Sequence, residues 1–259
     1  MDICISNRGI TIKEEVINIS KHIENLQDGS IIEYYLKDNK YHNKFKITFG
    51  DGKICEFTYN NGIQSSSGII IYPNGHKYEG EIYNYHPHGY GNVIISNGDT
   101  YSGEWQNGKY HGYGIKKFIN GKIYDGNWEN GKYNGKGIEV YPNGSYYDGF
   151  WIDGIRHGHG IEKYVDGTTY DGNWEDGLRS GKGIYISMYG DKYNGNWLKG
   201  FYHGYGVYEY SGQDIFGSNE KYTYRGNWHY GKKHGKGKCN YNKIVDEGYW
   251  ENGIFIKSI

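Results

Sequence analysis

Apolar and polar positions alternate along this chain with a period of two, and the alternation is broken at regular intervals by turns. In Tyr101-Ser102-Gly103-Glu104-Trp105 the two rings and Gly103 share one side, and Ser102 and Glu104 take the other. That pattern predicts a strand with one buried face. Asn107-Gly108 follows, a pair that tolerates positive φ and turns a hairpin. His111-Gly112-Tyr113-Gly114-Ile115 opens a returning strand, and Asn120-Gly121 carries the chain into the next unit. Asn74-Gly75, Asn97-Gly98, Asn143-Gly144 and Asp166-Gly167 stand at equivalent places.

The unit repeats every 23 residues. Tyr101-Gly103-Trp105 recurs as Tyr124-Gly126-Trp128, Tyr147-Gly149-Trp151, Tyr170-Gly172-Trp174 and Tyr193-Gly195-Trp197, with Tyr78-Gly80-Ile82 ahead of them in register. Tyr224-Gly226-Trp228 follows eight residues late and Asp246-Gly248-Trp250 closes the series, so all 7 Trp occupy one position of the unit. Backwards, Asp51-Gly52 and Asp28-Gly29 keep the register of Asn74-Gly75. The expectation is all-β: an elongated solenoid of about ten stacked 23-residue antiparallel hairpins, each marginal alone and stabilised by its neighbours. Residues 28–73 are two degenerate repeats and residues 74–259 the regular array, with an eight-residue insertion within 208–223. Ile69, Ile115, Ile138, Ile161, Ile184 and Val207, also 23 apart or a multiple of it, are expected to pack against one another between units.

Both ends differ. Across residues 10–27, Ile12, Val16, Ile19, Ile23 and Leu26 follow steps of four and three, which predicts a helical face and an N-terminal helical cap within 1–27. At the other end Ile254–Ile259 reads as an edge strand, open to a second copy of the chain and hence to a homodimer through a terminus.

Composition sharpens this picture. The 43 Gly need a geometrical reason because ordered Gly costs backbone entropy, and 3 Pro without a three-residue Gly period exclude collagen. Aromatic residues at 18% exclude disorder. With 29 Lys+Arg against 30 Asp+Glu, no basic nucleic-acid groove is expected. The 3 Cys have neither a disulfide nor a zinc spacing. No apolar run is long enough for a transmembrane helix, and MDICIS lacks the features of a secretory signal.

Candidate chemistry is sparse. His88, His111, His157, His203 and His234 recur before a Gly, but neighbouring hairpins place such side chains about 10 Å apart, too far to share a metal ion. Asn134 and Ser180 at the same place suit a side chain that hydrogen-bonds a turn. Glu79, Asp125, Asp148 and Asp171 recur singly on the outer face and form no acid–base pair. No nucleophile elbow or phosphate loop is present. Neither a catalytic residue nor a metal or cofactor is expected. What remains is a concave aromatic face whose ring-bearing second-strand positions, Phe118, Tyr141, Tyr164, Tyr185 and Tyr208, are candidates for a partner-binding groove. In the inserted loop, Ile215 and Phe216 are candidates for a further contact.

The units Tyr101–Gly121 and Tyr170–Gly190 resemble MORN repeats, the membrane occupation and recognition nexus, with a pattern near YxGxWxxGxxHGxG. Ile82 for Trp, Asn134 and Ser180 for His, Asp246 for Tyr and the insertion depart from it. The resemblance implies a non-enzymatic scaffold that binds a protein helix or extended peptide at a cortical, membrane-associated or cell-division cytoskeletal structure. It also admits a radial-spoke-like axonemal component or a phospholipid-binding membrane adaptor. Cytoplasmic placement, at the cytoskeleton or the cytoplasmic face of a membrane, goes with these roles, and weak phospholipid contact with the last of them. The abundance of Asn, Lys, Ile and Tyr resembles proteins of an AT-rich protist, such as an apicomplexan.

Overall fold

A computed structural model describes residues 3–6, 9–12, 19–212, 222–241 and 244–259. All regular structure among them is β-strand. The chain divides into two compact units, Met1–Gly98 with Trp105–Gly108, and Asp99–Glu104 with Lys109–Ile259.

In the first unit, β1 (Ile3–Ser6) and β2 (Gly9–Ile12) pair only with each other. The strands β3 (Ile19–Asn25), β4 (Ile31–Lys37), β5 (Lys40–Thr48), β6 (Ile54–Asn60), β7 (Ile63–Ile71), β8 (Lys77–Tyr83) and β9 (His86–Ile94) follow. Each is antiparallel to the next. Strand β10 (Thr100–Gln106) falls at the division between units.

The second unit continues with β11 (Lys109–Lys117), β12 (Ile123–Glu129), β13 (Lys132–Val140), β14 (Tyr146–Ile152), β15 (Ile155–Lys163) and β16 (Thr169–Glu175). Then come β17 (Leu178–Ile186), β18 (Lys192–Leu198), β19 (Phe201–Tyr210), β20 (Tyr222–His229), β21 (Lys232–Tyr241), β22 (Ile244–Glu251) and β23 (Ile254–Ser258). From β11 onward every strand is antiparallel to its successor. Taken in pairs from β4, the strands make about ten hairpins, as the period predicts.

The turns explain part of the Gly content. Asn130 and Gly131 both lie at positive φ (51° and 84°), the geometry of a two-residue hairpin turn. The Gly131 amide then donates to the Tyr110 carbonyl of the preceding hairpin at 2.9 Å, and Gly154 to Tyr133 at 2.8 Å. In β13 the pairing shifts from Gly126↔Gly137 to Trp128↔Tyr133, leaving extra residues in a bulge around Gly135, which also has positive φ.

The core is built from one contact set repeated. Tyr124 is fully buried and its ring lies across two glycines, its own Gly126 and the cross-strand Gly137. A Cβ added at Gly137 would stand 2.3 Å from the Tyr124 hydroxyl. The hydroxyl donates to the Asn127 carbonyl at 2.9 Å, which satisfies a polar atom that burial would otherwise make costly. Trp128 stands edge-on between Tyr101 and Tyr124, with centroids 5.3 and 5.1 Å away, and its Nε1 donates back to the Gly114 carbonyl at 3.0 Å. Trp151, Trp174, Trp197 and Trp228 repeat that bond to Gly137, Gly160, Gly183 and Gly206. Each edge-to-face ring pair adds about 0.5–1.5 kcal/mol beyond its buried area, so neighbouring hairpins are joined by rings as much as by the backbone ladder.

Three expectations are corrected or left outside the description. Residues 19–25 are strand, not helix, paired from Ile19↔Lys37 to Asn25↔Ile31. Ile19 and Ile23 are exposed there, and the face in line with the core carries Ser20, His22 and Glu24, with the His22 ring stacked on Tyr34. Residues 13–18, the middle of the expected helix, lie outside the described residues. The isoleucine row does not pack on itself: Asp125 sits cross-strand between Ile115 and Ile138, and Ile138 and Ile161 are partly exposed. Ile215 and Phe216 of the inserted loop also lie outside the described residues.

Candidate functional site

The tyrosine–tryptophan face carries two further rows from the returning strands. The first is the residue two places after each turn glycine: Tyr110, Tyr133, Arg156, Arg179, Tyr202 and Lys233. Each covers the core tyrosine of its hairpin. Tyr133 stacks on Tyr124 at 3.6 Å and Tyr202 on Tyr193 at 3.8 Å. Where the row turns cationic, the guanidinium of Arg156 lies 4.3 Å over Tyr147, that of Arg179 4.7 Å over Tyr170, and Lys233 Nζ 5.0 Å over Tyr224. The second row is the residue opposite each core tyrosine: Glu139 faces Tyr124, Glu162 faces Tyr147, Tyr185 faces Tyr170 and Tyr208 faces Tyr193.

Charge gathers where these rows cross. Glu139 and Glu162 are only 5% and 8% exposed, so each carboxylate needs partners to remain ionised. Glu139 accepts from Lys122 Nζ at 2.8 Å and from the Tyr141 hydroxyl at 2.6 Å, with Arg156 3.8 Å away. Glu162 accepts from Arg156 Nη1 at 2.6 Å and Arg179 Nη2 at 3.0 Å. The other Arg156 Nη donates to the Tyr141 hydroxyl at 3.0 Å. The result is a ladder, Lys122–Glu139–Arg156–Glu162–Arg179, running across neighbouring hairpins.

Burial alone would raise the Glu162 carboxyl, but the bonds from Arg156 and Arg179 outweigh it and hold the group below the usual carboxylate range. Desolvation likewise works against the charge of Arg156, and its pairing with Glu162 overrides that. Burial first, then the bond to Glu139, pushes the Tyr141 phenol up to about 12. Glu162 and Arg156 are therefore charged, and the Tyr141 phenol protonated, near neutral pH.

A hollow of about 690 Å³ borders the ladder, lined by Tyr141, Pro142, Ser145, Tyr146 and Tyr164 together with Arg156 and Glu162. A second hollow, of about 250 Å³, is lined by Arg179, Tyr185, Trp197, Phe201 and Tyr202.

A family model described as the MORN repeat matches residues 78–100, 101–123, 124–146, 147–169, 170–188, 193–215 and 224–243, well over half of the chain. The chain is a MORN-repeat protein. It is thus a scaffold of stacked hairpins, and the MORN match begins at Tyr78 although hairpins of the same form precede it. No curated protein matches the chain. Among solved structures it is similar to the wild-type TCP10 domain of Danio rerio CPAP, at 14% identity over 68% of this chain and 89% of that one, TM-score 0.34. A point mutant of the same domain gives 15%, 68%, 93% and 0.29. A streptogramin B lyase gives 11% over 91% of this chain and 88% of that one, at 0.16. All three scores are too low to speak for a shared overall fold.

The five ring positions read from the sequence of this MORN protein belong to two rows, not one. Phe118, Tyr141 and Tyr164 lie just past the ends of β11, β13 and β15, and the backbone of each closes a turn, as Phe118 N does on the Lys122 carbonyl at 2.8 Å. Tyr185 and Tyr208 lie two positions earlier in their units, inside β17 and β19. Tyr141 and Tyr164 share the larger hollow and Tyr185 lines the smaller one. Phe118 sits between Lys116 and Lys122, whose Nζ atoms lie 4.6 and 4.4 Å from its ring, and Tyr208 donates to Asp191 at 3.1 Å. Sequence reasoning missed Arg156, Arg179, Glu139 and Glu162. The signal was there in the period of two, since Glu139 and Glu162 each follow a core-facing Gly by two residues and so fall on the aromatic face.

Two of the recurrent histidines differ from expectation. The Nδ1 atoms of His88 and His203 are buried without a hydrogen-bond partner, while Asn134 and Ser180 bond across the hairpin turn to the Glu129 and Glu175 carboxylates. Among the described residues no cluster of His, Cys, Asp and Glu has the arrangement of a metal site.

Proposed function

We propose that this MORN scaffold holds a protein partner on its ring-and-charge face, a helix or an extended segment seated across Tyr141 and Tyr164. The observation that carries this reading is the 690 Å³ hollow bordering the buried ladder. Tyr and Arg are the residue types on which binding energy concentrates, and here three tyrosines line the hollow together with side chains already fixed by ion pairs. A lining ordered in advance loses little entropy when a partner arrives.

The place of action in this proposal is a cortical, membrane-associated or cell-division structure of the cytoskeleton, at the cytoplasmic side. The scaffold character of the family and the protist-like composition support it. Among the described residues no helix is long and apolar enough to cross a membrane. A homodimer through β23 belongs to the same proposal, supported by the exposure of Ile254 and Ile256 on that strand.

The test is co-purification from the native cell of the wild type beside a variant with Phe118, Tyr141 and Tyr164 all changed to Ser, after circular dichroism has shown that the variant is folded. A partner retained by the wild type and lost by the variant is the expected result. Partners shared equally by both would reject the groove.

A further inference from the structure

The ladder ends on an unbalanced step, and that step narrows the groove reading, on which this inference rests, to a chemistry. Each arginine lies between two positions of the row opposite the core tyrosines, one in its own hairpin and one in the hairpin before. Arg156 meets Glu162 of its own hairpin at 2.6 Å and Glu139 of the preceding one at 3.8 Å. Arg179 repeats the arrangement one hairpin on and meets Glu162, of the preceding hairpin, at 3.0 Å. Its own-hairpin position is Tyr185, which presents a ring 5.4 Å from the guanidinium and no carboxylate. Among the described residues Glu162 is the one carboxylate paired with Arg179.

Arg179 is nonetheless almost as deeply placed as Arg156, its side chain 18% exposed against 15%. A guanidinium is a planar fork with five donors, suited to hold a carboxylate with two parallel bonds. On Arg179 a single Nη2 bond to Glu162 is in use on the ladder side. The other side fronts the hollow of about 250 Å³. That is less than the roughly 300–1,000 Å³ of a drug-sized ligand pocket, and it suits one inserted side chain. Its walls are the rings of Tyr185, Trp197, Phe201 and Tyr202, which would cover the methylene of such a side chain and strengthen an ion pair by excluding water. The charges agree: Lys122, Arg156 and Arg179 against Glu139 and Glu162 leave one positive charge over, and Arg179 is the more deeply placed of the two singly paired ends, its side chain 18% exposed against 25% for Lys122.

We propose that the hollow beside Arg179 receives an Asp or Glu side chain of a partner peptide, whose carboxylate completes the second ion pair of Arg179 between Tyr185 and Tyr202. A phage-displayed library of random dodecapeptides, selected on the full-length chain, tests it. Wild type should enrich peptides with one fixed acidic position beside apolar residues. Arg179→Gln should lose that position and weaken binding of a selected peptide by about 30-fold, the low end for removing one partner of a buried charge pair. Tyr185→Glu should lose it too, because the missing carboxylate is then internal, and should melt no lower than wild type, which separates blocked binding from misfolding.

Enrichment of peptides without an acidic position, surviving both substitutions, would overturn this inference and leave the groove reading standing. No enrichment by wild type would overturn both. Arg179-dependent sedimentation with phosphatidylserine vesicles, in place of peptide selection, would overturn it in favour of a lipid headgroup.

Discussion

A Cβ built at Gly137 stands 2.3 Å from the Tyr124 hydroxyl and 2.6 Å from its Cζ, whereas one at Gly144 meets nothing within 4 Å. The two glycines are therefore kept for different reasons. At Gly144 the reason is conformational, with φ at +86° in the left-handed region. At Gly137 it is the ring lying across the strand. We expect Gly144→Ala to cost about 1 kcal/mol of backbone strain and Gly137→Ala to cost about 3 kcal/mol or more as overpacking, measured as shifts of urea midpoints. Tyr124→Phe in the Gly137→Ala background should recover part of the loss, since it removes the closest atom. Equal costs at the two positions would reject this account. Reading the chain in steps of two places Tyr, Gly and Trp on one face and suggests that Gly makes room for tilted rings. The hydroxyl bond to the carbonyl three residues on, and the tryptophan bond to the hairpin before, cannot be read that way, because they depend on how far each ring leans.

Between hairpins the decisive contacts are electrostatic as well as aromatic. Glu162 is shared by two arginines, and replacing it by Gln leaves both guanidinium groups short of a buried counter-charge. The expected cost at pH 7 is about 3 kcal/mol. Because the folded protein holds this carboxyl below its unfolded value of 4.5, its contribution is complete above about that pH. It is lost as the pH falls through the lower folded value. Wild type and Glu162→Gln should accordingly converge in urea stability as the pH is lowered below 4.5, and a constant gap would show that the Glu162 carboxyl does not titrate as described. Strand β3 shows where pattern reading fails at this scale. A step of four residues, as between Ile19 and Ile23, keeps one face in a helix and also in a strand, since four is even. The β-branched side chains and the pairing with β4 decide for the strand.

Across the whole molecule one hairpin recipe is used repeatedly, and the 23-residue period makes the fold legible from the sequence alone. The binding face is less legible because it is made of exceptions to the period. Arg156 and Arg179 stand where three other hairpins have Tyr110, Tyr133 and Tyr202, and Glu139 and Glu162 stand where the next two have Tyr185 and Tyr208. Repetition also sets the response to alkali. Burial raises the phenols of Tyr78, Tyr124, Tyr147, Tyr170, Tyr193 and Tyr224 above their ordinary 10.0, the last to about 12. Such groups stabilise the fold fully below pH 10, and that support is lost as the pH rises through their folded values. Phenolate absorbance of these rings should therefore appear together with loss of the β signal above pH 10, in one cooperative step. Gradual ionisation of the buried rings with the fold intact would refute this. The indole bonds of Trp105, Trp128, Trp151, Trp174, Trp197 and Trp228, finally, all point one way, to the glycine carbonyl of the hairpin before. A chain made from its N-terminus thus releases the hairpins from β8–β9 to β18–β19 from the ribosome before the indoles, Trp105 to Trp228, that fasten them. Folding during synthesis should advance like a ratchet, each newly emerged repeat locking its predecessor and waiting for its own lock.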